Sequence, residues 1–417
     1  MPDPTLFAAV KDPANRPNPY PLYARLREAP VALQDDGTYV VTTHAALRAL
    51  LFDPRISSED LPSTSHPRTG NPFKDWIINP FKDHVRTKHR PFIFRDPPDH
   101  DVLRRHVMRE FTPERIRAMH GRVDGLVADL LDRRRDARAI DLVDDFSYPL
   151  PVTVICELLG VPPEDEGRFH GWATQLATAL EPDARQDEAA LGRNIETFDA
   201  IAAYMQDLIK DKRRHPKDDL LTGLATREDP QAGRMGDYDL IATSILLLIA
   251  GHETTVNLIT NGMLTLLRFP AQLERLRAEP EIAPRLIEEL LRYEPPVHFR
   301  TRKALAEIEL AGTTIPAGAP VVLLFASGSR DPARFADPDR FDPDREDNQH
   351  FGFGGSLHFC VGAPLARLEA EAALVALARR LRNPRLLDDP PPYRPGASLR
   401  GPEHLRLAID GVSPPDA

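Results

Sequence analysis

The 417-residue sequence contains little cysteine, no basic excess and no long apolar run. Its only cysteines, Cys156 and Cys360, exclude a disulfide framework, and a reducing, cytoplasmic location is therefore expected. The net charge of −10 argues against a general nucleic-acid-binding protein. The N-terminus has neither a basic nor an apolar stretch, and the longest apolar run, residues 245–251, is too short to span a bilayer. No signal peptide or membrane anchor is expected.

Helical periodicity dominates what the sequence does contain. It predicts helices at 44–51, from Pro113 to about Arg135, and along a continuous apolar stretch at 238–267. Residues 31–42 read as a β-hairpin. Between about residues 57 and 96 the periodicity is lost while aromatic residues remain, which favours a lid or binding segment over a disordered excursion. No linker marks a domain boundary, so one large domain is allowed as readily as several smaller ones.

Cys360 follows a stretch rich in glycine and aromatic residues, 353–359, and precedes a helix-forming run that begins at Ala363. A thiol at a helix N-terminus faces unpaired backbone N–H groups and the positive end of the helix dipole, so its thiolate is favoured. Pro364 suits the first turn of that helix, where a missing N–H loses nothing. A thiolate held in this way is a good ligand for haem iron.

Taken alone, Cys360 reads more readily as an ordinary buried cysteine. Its surroundings, however, resemble the cysteine-ligand signature of the cytochrome P-450 family, the haem-thiolate monooxygenases, which runs Phe-Gly-x-Gly-x-(His or Arg)-x-Cys-x-Gly. The matching positions are Phe353, Gly354, His358, Cys360 and Gly362. Ser356 departs from the pattern, because the second glycine is usual there. The resemblance covers about residues 18–409 and implies that Cys360 is the iron ligand of haem b, with Phe353 and His358 beside the cofactor.

The middle of the long predicted helix carries the unusual sequence AGHETT at residues 250–255. Gly251 costs stability in a helix interior, and Thr254 can turn its hydroxyl back to the carbonyl of Ala250 and open the helix locally. The histidine that a zinc protease would need four residues after the first is absent. The stretch matches the family's oxygen-activation motif in full. The resemblance therefore implies a catalytic set of Ala250, Gly251, Glu253 and Thr254.

Glu289 and Arg292 lie three residues apart on a predicted helix at 284–293, so they are neighbours on one face and can form a bidentate pair. Such pairs are common on protein surfaces, and this one alone is a weak signal. Residues 337–341 (DPDRF) look like the family's second arginine segment. The resemblance implies that Glu289, Arg292 and Arg340 together lock the structure behind the haem, on the cysteine side.

Several cationic residues are candidates for the haem propionates. His100 and Arg104 are four residues apart, on one helix face, and from the sequence alone a solvated surface helix explains them better. The family resemblance assigns this pair to a propionate, for which arginine offers a forked donor. Arg302 falls where the family places another propionate contact; Arg300 competes with it, and His350 is a further candidate.

The resemblance also implies the architecture and the substrate site. We expect a mainly α-helical single domain, residues 1–417, with a small β-rich lobe and with haem between the distal helix and the cysteine helix. The substrate pocket should be formed by the segment near 62–94, the helices within 165–205, and four side chains: Leu247, Val297, Phe299 and Leu399.

The implied activity is insertion of one oxygen atom from O2 into a small or medium apolar organic molecule by a monomeric enzyme. Electrons would come from NAD(P)H through a separate ferredoxin and its reductase, or through a flavodoxin-type donor, since no flavin or iron–sulfur sequence is fused here. Arg105 and Arg109 could receive an acidic ferredoxin, although ordinary solvated charges explain them equally well. Two alternatives remain: a peroxide-driven haem-thiolate peroxygenase and a non-catalytic haem-based sensor.

Overall fold

The computed structural model describes residues 3–59, 91–177 and 188–415. Most of the predicted lid, 57–96, lies outside these ranges. Within them, the α-helices are α1 (Leu6–Lys11), α2 (Tyr20–Leu26), α3 (His44–Leu51), α4 (Asp99–Glu110), α5 (Pro113–Ala118), α6 (His120–Asp132), α7 (Pro149–Leu159), α8 (Glu166–Ala177), α9 (Glu188–Arg214), α10 (Leu220–Thr226), α11 (Asp237–Arg268), α12 (Pro270–Ala278), α13 (Ala283–Tyr293), α14 (Phe325–Gly328) and α15 (Ala363–Arg380).

The strands of the described chain are short, and together they contain fewer residues than the helices do. They are β1 (Val31–Leu33), β2 (Tyr39–Val41), β3 (Ile56–Ser57), β4 (Ala139–Asp141), β5 (Arg300–Ala304), β6 (Ile308–Leu310), β7 (Thr313–Ile315), β8 (Pro320–Leu323), β9 (Arg385–Leu386) and β10 (Arg406–Ala408). They form a five-stranded sheet of order β1-β2-β8-β5-β3, a three-stranded sheet β4-β10-β9 and the pair β6-β7.

Local patterns in the sequence located several of these elements. The predicted hairpin is the antiparallel pair β1–β2, with Val31 opposite Val41, and the predicted helix at 44–51 is α3. The single helix predicted after Pro113 is wrong, because the chain forms two helices, α5 and α6, that are separated at Met119.

The chain folds into two compact units, each assembled from segments that are distant in sequence. The first takes in the residues up to Ile56, Pro113–Val154 and everything from Gly251 onward, and it holds the sheets. Its central strand β8 pairs parallel to β2 and antiparallel to β5, and three of its four residues are buried, as expected of a strand covered on both faces.

The sheet core of the first unit anchors the loop that leads to Cys360. Phe351, nine residues before the cysteine, is 6% exposed and belongs to the same buried cluster as Leu47 and Val321. Its ring lies 4.6 Å from the His44 ring and 5.9 Å from that of Phe325. Since buried aromatic rings dominate core packing, this contact fixes where the loop leaves the sheet.

Helix α11 is the long apolar helix that the sequence predicts. By length and mean hydropathy, 1.3 over its most apolar window, it could cross a membrane, but 72% of that window is buried within the protein, as in a core helix of a soluble protein. In the first unit, a Cβ added at Gly262 would lie 2.8 Å from Leu374 of α15 and 3.0 Å from Leu290 of α13. Glycine therefore allows the cysteine helix and the Glu289 helix to approach α11 closely.

The second unit, Ser57–Thr112 with Ile155–Ala250, is mainly helical in its described part, which also contains the end of β3 and an isolated bridge between Asp229 and Gly233. Glu110 of α4 accepts a hydrogen bond from Arg227 at 3.0 Å, just beyond α10. Phe169 of α8 packs edge-on against Tyr204 of α9, with ring centroids 5.0 Å apart. Cys156 is 2% exposed, and burial raises the pKa of its thiol to about 12, as expected of a core residue.

Candidate active site

The loop before Cys360 is shaped by two left-handed residues. Gly354 has φ 71° and Ser356 has φ 55°, whereas Gly355 between them is extended. The Cys360 N–H donates to the carbonyl of Phe353 at 3.0 Å and closes the loop. Ser356 thus adopts the conformation for which the signature uses glycine, so the departure in sequence leaves the turn in place at the cost of backbone strain.

The Cys360 thiol is exposed, in contrast to that of Cys156. It stands immediately before α15, and Gly362, the N-cap residue, would place an added Cβ 3.9 Å from the sulfur. The neighbouring Leu357 and Phe359 are also exposed, at 47% and 41%. An accessible sulfur at a helix N-terminus among apolar side chains suits a soft, thiolate-ligated metal, and these residues therefore fit haem iron.

A charged cluster lies next to this loop. Arg367 of α15 forms a forked pair with Glu288 of α13, at 2.6 and 3.0 Å, and its guanidinium covers the Phe353 ring at 4.6 Å. Burial works against ionisation of Glu288, but hydrogen bonds from His350 and Arg367 lower its pKa to about 2. His350 Nε2 lies 3.2 Å from Glu288, and its Nδ1 accepts the Gly352 N–H. Both ring nitrogens are used, so His350 is not a propionate ligand.

Glu289 and Arg292 form a buried ion pair rather than a surface one. Both side chains are fully buried, and two hydrogen bonds of 2.7 Å join them. The guanidinium also donates to three backbone carbonyls beyond α13, those of Ser329, Pro338 and Arg340, at 3.1, 2.7 and 3.0 Å. Glu289 in turn accepts the Asp342 N–H at 2.8 Å. The pair therefore organises the irregular chain between residues 329 and 342.

The sequence prediction is wrong about the side chain of Arg340. That side chain is 68% exposed and lies 3.7 Å from Asp342, so only its carbonyl reaches the buried pair. Arg345 instead brings its guanidinium to 3.5 Å from Glu289 and is 11% exposed. The two arginines are five positions apart in irregular chain, and no periodicity in the sequence says which one turns inward.

On α11, Glu253 and the Thr254–Thr255 pair occupy the middle of the helix, as predicted. The Thr255 hydroxyl donates to the Gly251 carbonyl at 3.2 Å, a bond of the kind that loosens a helix. The corresponding bond from Thr254 to Ala250 stays a prediction. His252 is fully buried, and its ring packs edge-on against Tyr148 at 4.3 Å.

Sequence reasoning missed the partner of Glu253. Arg394, from the irregular C-terminal segment 391–402, forms an ion pair with the Glu253 carboxylate and also donates to Asn257 at 2.9 Å. One signal was available: Glu253, Asn257 and Asn261 recur every four residues on a largely apolar helix, which places them on one face. That spacing indicates a polar contact but cannot identify a cation 141 residues away.

The predicted pocket residues of the first unit divide into two groups. Val297 and Leu399 face each other across an isolated β-bridge, as neighbouring wall residues should. Phe299, by contrast, is fully buried and packs edge-on against Phe7 at 5.2 Å. A side chain with no exposed surface cannot line a pocket that a substrate enters, so the prediction for Phe299 is wrong.

Arg300 and Arg302 point to the same face of β5, two residues apart. Arg300 donates to the Ser398 hydroxyl at 2.6 Å, next to Leu399. Arg302 donates to the Thr301 carbonyl at 2.8 Å in an exposed position. Both arginines are hydrogen-bonded within the protein, and the assignment of either one to a propionate stays a prediction.

In the second unit, His100 of α4 is fully buried, and its Nδ1 lies 2.8 Å from Asp101. Arg104, one turn on, is half-buried, and Leu247 of α11 is buried. Arg105 and Arg109 are exposed, as expected for residues off the His100 face, and Arg109 donates to the Glu228 carbonyl at 3.0 Å. Their proposed contacts with haem, substrate and ferredoxin stay predictions.

Comparison with known proteins finds relatives that match nearly the whole chain. The family model for Cytochrome P450 matches residues 56–406. The chain is 37% identical to 6-deoxyerythronolide B hydroxylase of Saccharopolyspora erythraea, over 94% of this chain and 96% of the relative. It is 39% identical to the cytochrome P450 monooxygenase PikC of Streptomyces venezuelae, over 87% and 84%. Ligand-free CYP164A2 of Mycobacterium smegmatis aligns with a TM-score of 0.86 at 38% identity and covers 98% of this chain and 100% of that one. The predicted mainly α fold with a small β-rich part is confirmed.

The buried pair predicts a large difference in stability between substitution of Arg292, on α13, and of Arg340, in the loop that Arg292 contacts. Arg292→Ala leaves Glu289 buried without its partner and should lower the free energy of unfolding by about 3–5 kcal/mol. Arg340→Ala removes an exposed side chain and should change it by no more than about 0.5 kcal/mol. Denaturant unfolding of both variants measures this contrast. Equal losses would mean that the pair is not a special source of stability.

The strained turn predicts a stabilising substitution. Ser356→Gly keeps the left-handed backbone without the clash of a Cβ and should raise the free energy of unfolding by about 1 kcal/mol. Ser356→Ala is the control, because it removes the hydroxyl and keeps the Cβ. If Ser356→Ala raises the free energy of unfolding as much as Ser356→Gly does, the hydroxyl and not the left-handed backbone is what destabilises the turn.

Proposed function

The chain belongs to the cytochrome P450 family and is a monooxygenase of that family, and on this premise we propose that it inserts one oxygen atom of O2 into a small or medium apolar organic molecule. The observation that carries the proposal is Glu253 beside Thr254 in the middle of α11, in the same unit as an exposed thiol at the N-terminus of α15. Relatives named for hydroxylation and monooxygenation support the reaction class.

The proposed cofactor is haem b. When bound, the haem supplies the oxygen chemistry that no side chain can perform. Cys360 would hold its iron, with Phe353 and His358 beside the ring. His100, Arg104 and Arg302 are the proposed donors to the propionates. Each of these carries a positive or donating group suited to a carboxylate.

The remaining residues would manage protons and water. A hydroxyl at position 254 can hold a water molecule in the distal pocket, and the Glu253 carboxylate can pass protons to it. Gly251 leaves room beside the backbone because it has no side chain. Val297 and Leu399 would exclude bulk water and shape the apolar pocket, and the assignment of Leu247 to it stays a prediction.

The electron donors are proposed as separate proteins, a ferredoxin with its NAD(P)H-dependent reductase or a flavodoxin-type donor, in the cytoplasm. Arg105 and Arg109 are the candidate docking cations. The second candidate function, a peroxide-driven peroxygenase, has no use for an acid–alcohol pair, and a sensor needs neither that pair nor a pocket. NADH-dependent O2 uptake with surrogate ferredoxin and reductase, compared with turnover on added peroxide, separates the three.

The ligand assignment predicts a spectral change. Cys360→His should still bind haem, but the reduced protein with carbon monoxide should lose the strongly red-shifted Soret band that a thiolate ligand produces. Cys156→Ser is the control and should keep that band, because Cys156 is buried in the core. A thiolate-type spectrum in Cys360→His would contradict the assignment and the function built on it.

The proton relay predicts two different defects. Thr254→Ala should still bind substrate and consume NADH and O2, but it should release more hydrogen peroxide or water and less product per NADH. Glu253→Gln should instead slow turnover, by about a hundredfold or more for a lost acid–base group, with a larger solvent isotope effect. Product yield per NADH and rates in D2O measure both. Full coupling in Thr254→Ala would mean that the chain uses another relay, such as Thr255 or the substrate itself.

A further inference from the structure

The C-terminal segment 391–402 is fastened to α11 along the polar face that begins at Glu253. Arg394 contacts Glu253 and Asn257, and the Arg400 carbonyl accepts a hydrogen bond from Asn261 at 3.0 Å. Gly401 allows the close approach, because an added Cβ would overlap the Asn257 side-chain oxygen. The acid of the proposed relay is therefore held by a segment outside its own helix.

Arg400 also fastens the same segment to the N-terminal part of the chain. The buried Arg400 guanidinium donates to the carbonyls of Arg16 and Pro17, at 2.7 and 3.0 Å, and pairs with Glu294. The segment also carries Leu399, opposite Val297. Arg394 consequently projects from a fixed backbone, and its guanidinium has a defined position relative to Glu253.

The two side chains of the Glu253–Arg394 ion pair differ in how much of their surface is exposed to solvent. The Glu253 side chain is 7% exposed and that of Arg394 is 22% exposed. Solvent therefore meets this pair at its arginine end. A guanidinium does not give up its proton, so Arg394 cannot itself be a relay member. It can, however, hold the carboxylate at the place where water reaches it.

We propose that Arg394 is a positioning residue for Glu253, and that its partly exposed guanidinium marks the point where protons from solvent enter the path to that carboxylate. This inference rests on the proposed function of Glu253 as a proton donor. It adds the residue that orients the Glu253 carboxyl group and the place at which the carboxylate takes up a new proton from solvent.

The proton balance is simple. The protonated Glu253 gives its proton to the water held at Thr254 and becomes a carboxylate. The carboxylate pairs with Arg394 and takes a new proton from solvent water there. A neutral acid has lost the charge-assisted part of its bond to Arg394, which is about half its strength, so it is released to turn toward Thr254. Arg394 stays a cation throughout.

The main test uses the haem-loaded enzyme with Arg394→Gln and Arg394→Lys. Arg394→Gln should lower kcat about tenfold or more, since misplacing a reacting group by an ångström can cost about a hundredfold. It should also raise the solvent isotope effect and leave the substrate Kd, read from the haem spectrum, unchanged. Arg394→Lys keeps the cation and should recover most of the rate. A lysine variant as slow as the glutamine variant would overturn the proposal.

A matched control is available in the same two elements. Arg268, at the end of α11, forms an ion pair with Asp389, just before the C-terminal segment, and is 34% exposed. Arg268→Gln therefore breaks a bridge of comparable exposure that lies far from Glu253 along the helix. Its kcat and solvent isotope effect should match those of the unsubstituted enzyme. A defect equal to that of Arg394→Gln would show that only the tethering of the segment matters.

A measurement independent of turnover uses the infrared band of protonated carboxyl groups at neutral pH. Loss of a cationic partner favours the neutral acid, so Arg394→Gln should gain a band that the Arg394→Gln/Glu253→Gln double variant lacks. The subtraction is needed because burial raises the pKa of Glu369 well above its usual value, and that residue absorbs in the same region. No difference between the two variants would contradict an ion pair in solution.

The double variant also separates this inference from the proposed function. If Arg394 acts through Glu253, Arg394→Gln should cause no further loss of rate in the Glu253→Gln background. An equal further loss would overturn the inference and leave the relay intact. A Glu253→Gln enzyme with an unchanged rate and isotope effect would instead overturn the relay itself.

Discussion

The buried pair of Glu289 and Arg292 is the interaction on which the cysteine side of the molecule depends. Neither charge has access to solvent, so each hydrogen-bonding group must be matched within the protein. The guanidinium donates hydrogen bonds to the carboxylate and to backbone carbonyls of a loop that belongs to no β-sheet. That loop continues through Phe351, in the sheet core, to Cys360. The charge pair thus helps to hold the chain that leads to the thiol, while the local turn places the thiol itself.

The two ends of the proposed chemistry are held by different means. Cys360 is placed by backbone, through the left-handed turn at Gly354 and Ser356 and the start of α15. Glu253 is placed by side chains, through Arg394 and the asparagine of the next turn. A metal ligand needs one fixed position. A proton donor must move between two partners, and side-chain hydrogen bonds allow such movement while a backbone turn does not.

The sequence predicted the helices and side-chain pairs that depend on the spacing of residues close together in the chain. Helical periodicity located α3, α11 and α13, and the three-residue spacing of Glu289 and Arg292 predicted a pair that the structure contains. It failed where contacts depend on how distant segments fold against each other. The inward arginine is Arg345, not Arg340, and Phe299 faces the N-terminal core, because irregular chain has no period from which to read direction. Arg394 was missed for the same reason.

The fastening of the C-terminal segment has a consequence for the order in which the protein can become functional. As the polypeptide leaves the ribosome, the acid on α11 appears 141 residues before the cation that orients it. Arg16, near the start of the chain, likewise cannot form its hydrogen bonds with the carbonyl of Pro395 and the side chain of Arg400 until those residues have been synthesised. A nascent chain halted just before Arg394 would contain both the thiol and the acid, yet it would lack the side chain that directs the acid. On the proposed mechanism, the haem ligand Cys360 is therefore synthesised before Arg394, the residue that positions the acid.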